Sequence, residues 1–114
     1  MNMTKFLGIT AAALLLTGAA SGEPILLQCD EITESPLGVP EYITVDVAAE
    51  TIVDHHLGIT YNVTNTTPHK LAGSYLTPDL KVYVVLDRRT LQFAKSGSGA
   101  NLKYQCKIAQ KQQV

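Results

Sequence analysis

Three histidines, two cysteines and a Ser/Gly run are the residues of this chain whose types could do chemistry. His55 and His56 are adjacent, Asp54 precedes them, and His69 lies beyond a Thr/Asn segment. Imidazoles and a carboxylate suit zinc or copper, so His55, His56 and His69 form a candidate metal set. Neighbours on a strand face opposite sides, so His55 and His56 could share one ion only from a turn. Their spacing matches no recognised zinc pattern, and a solvated pair of turn histidines is the simpler account. Ser96 and Ser98 alternate with Gly97 and Gly99, a composition that gives flexibility where a nucleophile needs rigid support. No nucleophile elbow, phosphate loop or paired-carboxylate signature occurs. The chain is therefore expected to be no enzyme and to need no cofactor.

Cys29 and Cys106 stand near opposite ends of the segment that follows an export-like N-terminus. Two cysteines in a short exported chain are expected to form one structural disulfide. Their spacing excludes CxxC chemistry, and neither has a neighbouring His to activate a thiol.

The elements that must position these groups show a period of two. Short strands are expected at Pro24 to Cys29, Tyr42 to Val47, Thr51 to Val53, Ile59 to Val63, Lys70 to Leu76, Leu80 to Asp87 and Leu91 to Ala94. The last strand places Leu102, Tyr104, Cys106 and Ile108 on one face, with Lys103, Gln105 and Lys107 on the other. Cys106 thus points inward. Lys81 to Leu86 is apolar on nearly both faces, as in a central strand. Asp87-Arg88-Arg89-Thr90 reads as a tight turn, with Asp and Thr side chains available to its amides. Thr64 to Pro68 breaks the pattern, and Ser96 to Gly99 reads as a loop. Seven or eight such strands imply an all-β antiparallel meander forming a small barrel or sandwich.

Residues 1–22 carry no acid and one base, Lys5. The apolar run Phe6 to Leu16 is too short to span a bilayer and is followed by small residues. A signal peptide over 1–22 is expected, with cleavage after Ala20 or Gly22. One disulfide-closed β-domain, 23–114, then lies in the periplasm or outside the cell, with no transmembrane segment. Leu26-Leu27-Gln28-Cys29 approaches a lipidation box, but Gln28 is not the small residue such a box needs.

An early Cys, a Thr-Val-Asp-Val hairpin, a Val-Val-Leu-Asp-Arg-Arg-Thr hairpin and a Tyr-Gln-Cys ending resemble a loose group of small exported proteobacterial and phage β-proteins of unknown function. The resemblance implies fold and location and no activity. Members often have Gly after the Asp-Arg-x-Thr turn, where this chain has Leu91. Ser98-Gly99 ahead of Tyr104 resembles a lysozyme-inhibitor motif in residue type only, since Leu102 stands where that motif places Tyr. Asn62-Val63-Thr64 and Asn65-Thr66-Thr67 have the form of glycosylation sites, which matters only in a eukaryotic secretory pathway.

A chain of 114 residues with net charge −1 and 17% charged residues allows one small domain and argues against a nucleic-acid binder. The small sum hides a split. Between Glu23 and Asp54 lie eight acids and no Lys or Arg, whereas from His55 onward there are eight Lys and Arg and only two acids. Folding can pair the halves across strands or leave a bipolar surface. In the second case Asp30, Glu31 and Glu34 form an acidic loop for a cationic protein, as in an inhibitor or immunity protein. Arg88, Arg89, Lys103, Lys107 and Lys111 form a basic strip for polyanionic envelope components. A non-enzymatic binding module is the leading expectation. An envelope-associated structural protein and a histidine-based metal binder are the alternatives.

Overall fold

The computed structural model describes residues 23–32, 38–97 and 99–109. The signal peptide, Glu34, Ser98 and Lys111 lie outside these residues. Eight strands follow one another: β1 (Ile25–Glu31), β2 (Glu41–Asp46), β3 (Thr51–Asp54), β4 (Ile59–Thr66), β5 (Lys70–Leu76), β6 (Lys81–Asp87), β7 (Gln92–Gly97) and β8 (Ala100–Ile108). Each pairs antiparallel with its sequence neighbours, and β8 returns to β1, so the meander closes as a barrel and not a sandwich. Eight strands enclose a space that side chains alone can fill. Leu27, Ile43, Val45, Ile52, Leu71, Val84, Leu86 and Phe93 fill it from the inward positions of successive strands. Among the described residues, no helix is long and apolar enough to cross a membrane.

Three strands depart from the expected pattern, each for its own reason. β6 is buried on one face only: Val82, Val84 and Leu86 point inward, while Tyr83 and Val85 are exposed. A barrel has a single interior, so a strand with neighbours on both sides still shows water its outer face. The Ser/Gly run begins as strand, with Ser96 paired to Asn101 and Gly97 to Ala100, and Gly99 lies in the turn. Turn-forming composition was outweighed by cross-strand pairing. At Gly97, where φ is +153°, an added Cβ would collide with the Lys81 carbonyl oxygen, so only glycine lets β7 pass that close to β6. β4 also runs past its expected end, to Thr66, through an irregularity between Val63 and Asn65. A bulge of this kind interrupts alternation without ending the strand.

Cys29 and Cys106 are direct cross-strand partners on β1 and β8, with a Cα separation of 3.9 Å, and form the disulfide. In the Asp87 turn, the carboxylate accepts hydrogen bonds from the Arg89 and Thr90 amides at 2.9 and 3.0 Å. Those amide bonds hold the Asp87 carboxyl below its ordinary range. Leu91 then adopts φ +64° and donates its N–H to the Asp87 carbonyl at 2.8 Å. The left-handed conformation that suits glycine is kept by a leucine, whose side chain packs against the core. A branched L-residue in this region costs about 1–2 kcal/mol. The usual order of alanine and glycine should therefore invert at this position. Leu91→Gly is expected to be about 1 kcal/mol more stable than Leu91→Ala in urea denaturation. An alanine variant equal to or better than glycine would show that the turn relaxes.

Candidate functional site

Strand polarity sorts the connections into two ends. The end of β1 and the start of β2 lie with the β3–β4, β5–β6 and β7–β8 turns at one end, here the mouth; the β2–β3, β4–β5 and β6–β7 turns lie at the other. At the mouth the inward-facing pattern changes from apolar to charged. Glu41 follows the parity of Ile43 on β2, Asp54 that of Ile52 on β3, and Lys95 that of Phe93 on β7. Period-two geometry therefore drives all three side chains into the same end of the barrel.

They meet there. The Lys95 ammonium lies 3.0 Å from Glu41 Oε1 and 3.0 Å from Asp54 Oδ2. Asp54 is wholly buried, and every lone-pair direction is used. Its Oδ1 accepts the amides of His56 and Leu57, each at 3.0 Å, which shapes the β3–β4 turn. Its Oδ2 accepts Tyr61 Oη–H at 2.6 Å besides Lys95. Burial pushes the Asp54 carboxyl up, but the Tyr61, Leu57 and Lys95 hydrogen bonds and the Lys95 charge outweigh it and hold the group below its usual range. Tyr104 donates to Glu41 Oε2 at 3.2 Å, and its ring faces the Lys95 ammonium at 5.2 Å. Burial, followed by the carboxylates they bond, raises both phenols above their ordinary range, so Tyr61 and Tyr104 act as neutral donors.

Glu31, at the end of β1 opposite Tyr104, adds its negative charge to the field around that phenol. Two carboxylates, Glu41 and Asp54, thus converge on the Lys95 ammonium, and Glu31 adds a further negative charge beside Tyr104 at the same end. A cavity of about 240 Å³ opens over the group. Leu57, Leu80, Val82 and Leu102 form its apolar wall, and Glu41, Lys95 and Tyr104 contribute its polar side. The turn that carries Leu80 is tied by Thr77, whose Oγ1 accepts the Leu80 amide at 2.9 Å.

The structure distributes the sequence-predicted residues unevenly. Glu31 belongs to the mouth, and Asp30 is exposed on the outer side of β1. Asp30 pairs with Gln105, which places it diagonally between Lys103 and Lys107, both outward on β8. The acidic and basic stretches therefore adjoin at the β1–β8 seam. Arg89 is exposed on the β6–β7 turn, but Arg88 is not part of a surface strip. Arg88 continues the inward parity of Val82, Val84 and Leu86, is 3% exposed, and donates from Nη1 to the Thr67 carbonyl at 2.6 Å. Among the described residues its Nε and Nη2 have no hydrogen-bond partner.

His55 and His56 do sit in the mouth-end turn, but on different business. His55 Nε2 meets Thr44 Oγ1 at 2.7 Å, and His56 Nε2 approaches Glu41 Oε2 at 3.9 Å. His69 lies in the β4–β5 turn, at the opposite end, where its carbonyl accepts the Arg88 amide. The fold does not bring the three together, and among the described residues no cluster of three or more His, Cys, Asp or Glu could hold a metal.

The residues that sequence reasoning missed are Glu41, Lys95, Tyr61 and Tyr104 as one group. The available sign was alternation carried one residue further at three strand ends. No family model, curated protein or solved structure matches the chain, so its functional reading rests on the geometry of this mouth.

Proposed function

We propose that the protein is an exported, non-enzymatic binding module that engages a basic protein partner through the mouth of its barrel. One observation carries this reading: Glu41 and Asp54 share the Lys95 ammonium at one barrel end, where Glu31 adds a further carboxylate beside Tyr104. The export-like N-terminus and the disulfide fit an oxidising compartment. A barrel closed by a covalent bridge holds its mouth in one shape before contact, which lowers the ordering cost of association. Clustered carboxylates with low-dielectric walls focus the field outward and speed encounter with a cationic surface. An inhibitor or immunity protein acting on a cationic hydrolase or toxin is the form that best fits these properties.

A panel of purified basic secreted hydrolases, assayed by surface plasmon resonance at low and high salt, tests the proposal. At least one should associate, and Glu31→Lys should slow that association by about tenfold or more. Glu31 lies outside the Lys95 ion cluster, so its replacement leaves the cluster intact. Association with no dependence on Glu31 or on salt, or no association at all, would overturn the proposal.

A further inference from the structure

On the reading that the mouth is the interface, we infer that its cavity receives one basic side chain of the partner, lysine or arginine, with Glu41 as the accepting carboxylate. The cavity is long in chemistry as well as shape. Leu57, Leu80, Val82 and Leu102 offer a surface for a methylene stem, and Glu41, Lys95 and Tyr104 supply the polar end. Lysine and arginine are the side chains built with an apolar stem and a charged head. At about 240 Å³ the space is below the range of most small-molecule and cofactor sites, and it suits a single side chain.

The sign of the occupant follows from the carboxylates. Lys95 is flanked by both Glu41 and Asp54 at 3.0 Å, so this trio already carries one negative charge in excess, and Glu31 adds another nearby. An anion would meet that excess, whereas a cation neutralises it. The two carboxylates differ in what they can still accept. Asp54 is fully buried and already takes four hydrogen bonds, from His56, Leu57, Tyr61 and Lys95. Glu41 keeps 16% of its side chain exposed and lines the cavity. Among the described residues its Oε2 accepts Tyr104 alone at hydrogen-bond distance, with the His56 ring further off at 3.9 Å, so it retains acceptor capacity at a residue that lines the cavity. Asp54 is the fixed base of the cluster, and Glu41 is the member that can turn to a guest.

The test uses the full-length chain and blocked single residues as probes, followed by NMR. N-acetyl-lysine methylamide and N-acetyl-arginine methylamide should give saturable shifts at the Glu41, Leu102 and Tyr104 amides. The neutral norleucine and citrulline analogues should bind at least about tenfold more weakly, since each lacks the charge-assisted hydrogen bond. The ratio of the two basic probes identifies which side chain is preferred. Ala100→Phe fills the cavity from an exposed rim position and should abolish the shifts. Glu41→Gln should weaken them about tenfold, with a thermal melt confirming that the variant folds. Equal binding of the neutral analogues, tighter binding of N-acetyl-glutamate methylamide, or basic-probe shifts that survive Ala100→Phe would overturn the inference. A hydrolase that still associates with Ala100→Phe at the native rate, yet is slowed by Glu31→Lys, would overturn the side-chain receptor and leave the mouth as the interface.

Discussion

Replacing both Cys29 and Cys106 by serine should lower the free energy of unfolding by about 4–5 kcal/mol. The bridge spans 77 residues of sequence, and restricting so long a loop removes a large part of the freedom of the unfolded chain. Its position strengthens the expectation. Seven of the barrel's pairings join strands that are consecutive in sequence, and the β1–β8 pairing alone joins its two ends. That seam brings together the most distant residues, so it has the largest closure entropy to overcome and the bridge sits on it. For a domain of this size the loss is comparable to the whole stability, which for natural proteins is about 5–15 kcal/mol. Urea denaturation of the serine variant, beside the native chain with and without reductant, measures it. The denaturant slope should also rise, because an uncrosslinked unfolded chain exposes more surface. A loss below about 1 kcal/mol would mean that the other seven seams hold the barrel closed unaided.

The second large effect lies in the ion cluster. Lys95→Met leaves Asp54 and Glu41 side by side without their shared cation, and Asp54→Asn leaves Lys95 with one partner in place of two. Breaking a buried pair from one side typically costs about 3–5 kcal/mol, because the remaining charge has been taken out of water. Lys95→Met should show the full loss. The double variant should be less destabilised than the sum of the singles, since the two residues share one interaction. Equality with the sum would mean that Lys95 and Asp54 are not coupled.

The same cluster sets an acid dependence. The folded Asp54 carboxyl lies below its ordinary value of 3.8, so its contribution is complete above that value and is lost as pH falls through the lower folded one. Native protein should therefore lose stability progressively below about pH 4, and Asp54→Asn should lack that part of the slope.

The architecture was legible because nearly every strand shows clean alternation, and β8 most clearly, with Tyr104 and Cys106 inward. The site was less legible for a definite reason. Glu41, Asp54 and Lys95 each stand one residue beyond the strand end that hydrophobic alternation suggested. A charged residue at the end of an apolar pattern reads as the start of a turn, since an isolated inward charge is costly. Here the cost is offset in three dimensions, because three such ends converge at one mouth, where one ammonium is shared by two carboxylates. No local window contains that compensation. Arg88 follows the same logic at the opposite end: its parity with Leu86 is inward, but its charge suggested a surface strip. The choice between barrel and sandwich was open, since it depends on pairing the first strand with the last. The two cysteines were the only local trace of that contact.

The β1–β8 pairing has a consequence for handling the molecule. Leu27 is paired with Ile108, and the Ala109 amide donates to the Leu26 carbonyl at 2.9 Å. The chain therefore enters and leaves its barrel at the same pole, the one away from Glu41. A fluorophore, affinity tag or solid support joined next to Glu23 or Ala109 attaches at that pole and not at the mouth.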